Sequence, residues 1–281
     1  MSATLSSAAI AQFDAEVKHA YARSGMLRGT VRVRTGIVGS THRFPKLGKG
    51  AATRRTTQAD VTPMNVAHTN ATATMEDWCA AEYTDIFDQA AVNFDERREL
   101  ATTIAGAIGR REDQLILDAI DAATVANTVS QHIGGTNTGL NTAKIRRAKR
   151  LLDAGGVPMG KGERTLAISA IGLEQLLGET VATSSDYAPV KALFDGEVDY
   201  WVGFQFKTME SRDEGGIPLS STIRTNYAYH RGALGLAVGI DFRTEVNYIP
   251  QKTSWLSNGL FKAGAVAVDV AGLVEISTYE A

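Results

Sequence analysis

The stretch Asn93–Ala123, NFDERRELATTIAGAIGRREDQLILDAIDAA, limits what this chain can fold into more than any other. Leu100, Ile104 and Ile108 recur every four residues, and the apolar stripe resumes with Leu115, Ile116 and Ile120. That period belongs to a helix burying one face. Asn93 can cap it, with Glu96 closing a capping box and Asp95 and Glu99 placing acid in the first turn. The β-branched pair Thr124-Val125 ends it. A rod over residues 93–123 is roughly 45 Å long at ~1.5 Å per residue. Gly106 and Gly109 lie mid-rod, where each costs ~1 kcal/mol against alanine. They mark a bend or a place where another backbone comes close. A helix this long with so narrow a stripe is a strut rather than the wall of a pocket.

What precedes the rod cannot fold alone. Residues 1–27 form an arm with Ile10, Phe13, Val17 and Tyr21 spaced for one helical face. In LRGTVRVRTGIVGSTHRF, Val31 and Val33 alternate with Arg32 and Arg34, the period of a strand. Gly36 and Gly39 bracket a turn, Thr41 to Phe44 supply a return strand, and VAHTNATATMEDW leads back to the rod. A hairpin with so few large apolar residues has no core of its own and is expected to project onto a neighbour. Charge supports this. From Lys18 to Ala59 there are ten Lys or Arg and no acid, whereas Glu76 to Asp121 carries twelve acids against four arginines. Complementary blocks of this kind steer association and fix its register.

Beyond the rod, Thr142 is read as the cap of a helix, AKIRRAKRLLDA, that ends at Gly155-Gly156. RTLAISA reads as a strand, LEQLL as a helix, Ser185 to Phe194 as a short helix, and DYWVGFQFKTM as one strand with a glycine inside it. Elements of both kinds without strict alternation give an α+β fold.

Chemistry is sparse. Gly155 to Gly162 matches G-x-x-x-x-G-K, but Gly162 stands where a phosphate loop needs Ser or Thr. A helix also precedes this segment and a strand follows, the reverse of the required order. The five histidines have no partner at metal spacing. Gly39-Ser40 lacks the flanking glycine of a nucleophile elbow. Cys79, the one cysteine, excludes an internal disulfide and reads as buried filler beside Trp78. The acid pair Glu112-Asp113 reads as part of a polar helix face. No catalytic residue, metal site or cofactor is expected. With 44% hydrophobic residues a sizeable core can form, and a net charge of −2 argues against bulk binding of polyanions. No signal peptide or membrane span is expected. Arg32, Arg34, Arg43, Lys46, Lys49, Arg54 and Arg55 could hold phosphates, so a basic-hairpin DNA-binding protein stays an alternative, although Phe44 is the one aromatic residue among them.

The order of parts resembles tailed-bacteriophage major capsid proteins of the HK-ninety-seven-like fold. LRGTVRVRTGIVGSTHRFPKLGKG, NFDERRELATTIAGAIGRREDQLILDAI and YAYHRGALGLAVGIDFRTEVN carry the resemblance, which spans nearly the whole chain. It implies an N-terminal arm at 1–27 and an extended β-hairpin loop at 28–75. A peripheral domain at 76–139 holds the spine helix at about 93–123, with Leu100, Ile104, Ile108, Leu115 and Ile120 as its core face. An axial domain spans 140–245, and 246–281 returns to the peripheral domain. The loop, through Arg32, Arg34, Phe44, Lys46 and Lys49, and the arm, through Phe13 and Tyr21, are the implied contacts between subunits. The implied product is an icosahedral head of hexamers and pentamers around double-stranded DNA, assembled in the bacterial cytoplasm. Its implied partners are a separate scaffolding protein, a portal and a decoration protein, with DNA touched non-specifically. Some members crosslink a loop lysine to a neighbour's asparagine; Lys46 and Lys49 hold that place, but no acid in the sequence is positioned to activate them. An encapsulin-like compartment shell is the alternative within the same fold.

Overall fold

The computed structural model describes residues 25–87, 96–179, 200–210 and 214–280. Its long helix, α1 (Glu96–Asp121), has 26 residues, about 39 Å at ~1.5 Å each. It stops at Asp121, where the Ala122 and Ala123 amides bond to Asp118 and Ile120 carbonyls. Asn93, Asp95 and the side chain of Glu96 lie outside the described residues. Ile104, Ile108, Ile116, Leu117 and Ile120 are buried, whereas Leu100 and Leu115 are half-buried. Gly109 is where another backbone comes close: a Cβ on Gly25 would stand 2.5 Å from the Gly109 carbonyl oxygen.

The strands are β1 (Arg32–Arg34), β2 (Thr41–Leu47), β3 (His68–Thr74), β4 (Glu76–Asp85), β5 (Thr128–Val129), β6 (Arg164–Ser169), β7 (Tyr200–Trp201), β8 (Phe204–Met209), β9 (Leu219–Ser220), β10 (Ile223–His230), β11 (Leu234–Ile249), β12 (Ser254–Ala267) and β13 (Leu273–Tyr279). They make two main sheets and a hairpin. The first sheet runs β1-β11-β12-β4, with β1 parallel to β11. Side chains alternate between its faces. Leu236, Val238, Phe261 and Ala263 join the core that includes α1. Gly259 admits the helix closely, since a Cβ there would lie 2.4 Å from an Ile104 methyl. Ala237, on the opposite face, packs against Phe44 and Ala73 of the β2–β3 hairpin. The sheet is thus layered between helix and hairpin.

The second sheet runs β5-β13-β10-β6-β8-β7, with β9 on β10. Tyr227, Tyr229, Ala167 and Leu273 face the end of α1. Leu166, Ile168, Phe204, Ala228 and Ile276 face α2 (Thr142–Ala154) and α3 (Ala170–Leu177) across a second core. The cap of α2 is Asn141 rather than Thr142: its side chain accepts from the Lys144 amide at 2.8 Å, and Thr142 opens the helix. Gly156, at φ +73°, turns the chain out of it. The glycine read as interior to a strand forms a turn instead. Val202 and Gly203 both have positive φ and join β7 to β8 as a hairpin.

Two expectations change. The boundary at 245/246 does not match the strand pairing, because β11 and β12 both belong to the first sheet and β13 to the second. Within the segment 246–281, expected to return as a whole to the peripheral domain, LFKAGAVAVDVAGLVEIST is split between the two sheets by a 3-10 turn at Val270–Gly272 that Asp269 caps through the Ala271 amide. Cys79 is exposed, since alternation on β4 sends Trp78 towards α1 and its neighbour outward. The helix expected over 185–194 lies outside the described residues.

Candidate assembly surface

The hairpin is anchored by its base and free at its tip. Phe44 is 0% exposed, held with Ala73, Met75 and Ala237. Two glycines let the hairpin seat on the sheet. A Cβ on Gly235 would meet the Phe44 ring at 2.8 Å, and one on Gly264 would lie 1.9 Å from the Thr74 carbonyl oxygen. This corrects the expectation of a hairpin without support from its own body: Phe44, Ala73, Met75 and Ala237 make a small core. Phe44 is consequently spent inside its own chain and offers no surface to a neighbour. Lys46 pairs with Asp269 at 2.8 Å, and the Lys49 amine donates to the Gly155 carbonyl at 3.0 Å. Beyond these contacts the tip, residues 48–67, carries Val61 and Met64 at 77% and 58% exposure. Phe13 and Tyr21 of the arm lie outside the described residues.

At the foot of the hairpin, β1 carries the basic groups singled out from sequence. The Arg32 guanidinium sits 5.7 Å from the centre of the Phe44 ring, and Arg34 is exposed. With Arg231, His230 and Glu163 they line an open cleft of about 390 Å³. Glu163 approaches His230 at 3.6 Å, and the Arg231 Nε donates to the Val31 carbonyl at 3.4 Å.

Where the arm enters the body, sequence reasoning missed the decisive residue. Asp113 is fully buried and accepts from the Met26 and Leu27 amides at 3.0 and 2.9 Å. An acid inside a helix that receives a second chain segment leaves no periodic signal, so the pair Glu112-Asp113 read as a solvated face. Arg28 donates to both oxygens of Asp241 at 2.8 Å and approaches Glu112 at 3.5 Å. Burial pushes the Glu112 carboxyl up to about 7, against the pull of Arg28. The hydrogen bond from Arg28 holds Asp241 below the usual carboxylate range.

The buried polar groups elsewhere are structural ties. Lys144 donates to the Thr138 and Ser277 carbonyls at 2.6 and 3.0 Å, and burial lowers its amine to about 8. Arg224 pairs with Glu280 at 2.9 Å, and Ser169 donates to the same carboxylate. Arg164, in the segment after the phosphate-loop look-alike, donates to the Val157 and Pro158 carbonyls at 2.6 and 3.0 Å and folds that loop onto the sheet. Among the described residues no cluster of His, Cys, Asp or Glu is placed to hold a metal ion, and no helix is long and apolar enough to cross a membrane.

A layered sheet, a long strut and a projecting basic hairpin describe a part of a larger assembly. The family model for phage capsid proteins matches residues 5–280. This chain belongs to that family. No curated protein matches the capsid protein by sequence. Among solved structures, the capsid of cyanophage P-SCSP1u aligns with TM-score 0.75 at 14% identity, covering 99% of this chain and 95% of that one. The capsid of Helicobacter pylori bacteriophage KHP30 aligns at 0.75 and 11%, covering 95% of each. The capsid of a native GTA particle aligns at 0.66 and 16%, covering 95% and 94%. The fold is the HK-ninety-seven-like capsid fold, and the protein is a major capsid protein, a structural component of a virion.

Proposed function

We propose that this capsid protein closes into an icosahedral head of hexamers and pentamers around double-stranded DNA. One observation carries the reading: the tip of the hairpin leaves its own body with Val61 and Met64 bare while the base is locked by Phe44. Apolar side chains on an extended, two-stranded projection find burial on another copy. The first sheet with α1 would form the peripheral domain. The second sheet with α2 and α3 would form the axial domain, around which copies gather. Arg32 and Arg34 would serve as contact residues; Lys46 and Lys49 would join only where the lattice opens their internal pairs. The work is mechanical rather than catalytic, with many weak contacts summed over a closed surface. Assembly in the bacterial cytoplasm would engage a scaffolding protein, a portal and a decoration protein, with packaged DNA touched non-specifically. Negative-stain microscopy of the overexpressed chain, with and without its scaffolding protein, tests this. Rings or closed shells are expected; a monodisperse monomer under both conditions overturns it.

A further inference from the structure

On the α1 side the two sheets share one core, in which Ile116 packs with Leu236 and Phe261 of the first sheet and Tyr227 and Leu273 of the second. On the hairpin side the seam between them is open. One cleft, of about 390 Å³, lies between Arg32 and Arg231. Another, of about 270 Å³, is lined by Lys49, Gly155, His230, Gly232 and Asp269. Two connections cross this seam: β10 passes to β11 through Arg231–Ala233, and β12 to β13 through Val270–Gly272. They are pressed together. The Val268 and Asp269 amides donate to the Ala233 carbonyl at 2.8 and 3.2 Å, and a Cβ on Gly272 would stand 2.7 Å from that of Ala233.

The hairpin root straddles the same place. Phe44 and Lys46 lie two residues apart on one face of β2. Phe44 rests on Ala237 of the first sheet, in a cluster that Val268 also packs against. Lys46 holds Asp269 at 2.8 Å, the residue whose carboxylate caps the Ala271 amide. Lys49 holds the Gly155 carbonyl at the end of α2, a helix of the second sheet.

We propose that the hairpin root is a clip across this seam, so that a neighbouring copy taking hold of the tip also biases the angle between the two sheets. Phe44 fixes the hairpin to the first sheet and the two lysines fix it to the crossover and the second, so it cannot shift against one alone. A closed shell places one chain in rings of six and rings of five, and the two rings require different bends of the same subunit. The close-packed core on the α1 side is the pivot. Exposed ties such as those of Lys46 and Lys49 are individually weak, which suits a device that biases two bends of similar energy rather than locking one. Gly155, Gly232 and Gly272 leave the wall of the cavity without side chains, room for the seam to narrow. The purpose of the clip rests on the shell reading, whereas the coupling is a property of the single subunit.

Hydrogen exchange of the unassembled subunit and microscopy of particles made with scaffolding test it together. One variant carries Lys46→Met with Lys49→Met, which keeps the side-chain stems and removes both ties. A second carries Asp269→Ser, which keeps a cap for the Ala271 amide and is too short to reach Lys46. In the first, amides 268–272 at the seam are expected to exchange roughly threefold to tenfold faster together with β2, what two exposed polar ties are worth, while α1 keeps its protection. Asp269→Ser is expected to loosen β2 in return, because coupling between two sites is reciprocal. Both variants are expected to assemble into particles of mixed diameter where the wild-type chain gives one. Faster exchange confined to the hairpin, with the seam unchanged, overturns the proposal. Particles of wild-type diameter from both variants overturn it too. Mixed particles from the lysine variant beside normal ones from Asp269→Ser would make the lysines contacts between copies, and would refute the clip. A wild-type chain that forms no particles at all would refute the shell reading and leave the exchange result standing.

Discussion

Replacing Glu112 with glutamine should stabilise the unassembled subunit in alkaline solution and leave it nearly unchanged in acid. Glu112 is 7% exposed and faces Arg28, Asp113 and Asp241. Its carboxyl is raised from 4.5 to about 7, first by burial and then by the neighbouring acids. In the unfolded chain the group ionises near the lower value, so between the two the unfolded state holds fewer protons and stability falls as pH rises. Below the lower value both states are neutral and the group costs nothing; above about 7 the penalty is constant. At about 1.36 kcal/mol per unit the full penalty is about 3 kcal/mol, an upper figure because Arg28 keeps one side of the site open to water. Glutamine keeps the shape and leaves a neutral oxygen facing Arg28 at the same 3.5 Å approach. Urea unfolding followed by circular dichroism at pH 5 and pH 8 measures the difference. The gain from Glu112→Gln is expected to be about 2–3 kcal/mol at pH 8 and to shrink to roughly a quarter of that at pH 5. An equal effect at both pH values, or a loss at pH 8, would refute the reasoning.

Three further outcomes follow from the packing. Phe44→Ala empties a large core position at the hairpin base and should cost about 3–5 kcal/mol in the same unfolding measurement, with faster proteolysis near residues 48–67. Gly264→Ala puts a methyl into the Thr74 carbonyl and should lift the hairpin base, seen as lost hydrogen-exchange protection in β3 while α1 stays protected. Glu280→Ala strands Arg224 without its buried partner and should cost about 3–5 kcal/mol; a change below about 1 kcal/mol would mean that water reaches the guanidinium freely.

The sequence made the strut legible because burial on one face writes a period into the chain, and Ile104, Ile108 and Ile120 are buried where that period puts them. The alternation of Val31 and Val33 with arginines likewise marks a strand. Less legible was whatever depends on a second segment. Asp113 serves amides from residues 26 and 27, and no local pattern announces that. The turn at Val202 was hidden because a β-branched residue seldom takes positive φ. The split between β12 and β13 had a signal in Asp269 and Gly272, a cap and a close approach to Ala233, but an apolar run on both sides masked it. Phe44 looked available because its pocket is made by an absence, the missing side chain of Gly235.

The central claim is that the hairpin tip completes its burial on a sister subunit. A cryo-electron microscopy reconstruction of assembled particles measures this directly. It should find residues 48–67 of each copy covering the neighbouring subunit, with Val61 and Met64 out of solvent and Phe44 still in its own pocket. A map in which those residues lie on their own chain, or stand clear of every neighbour, would contradict the account.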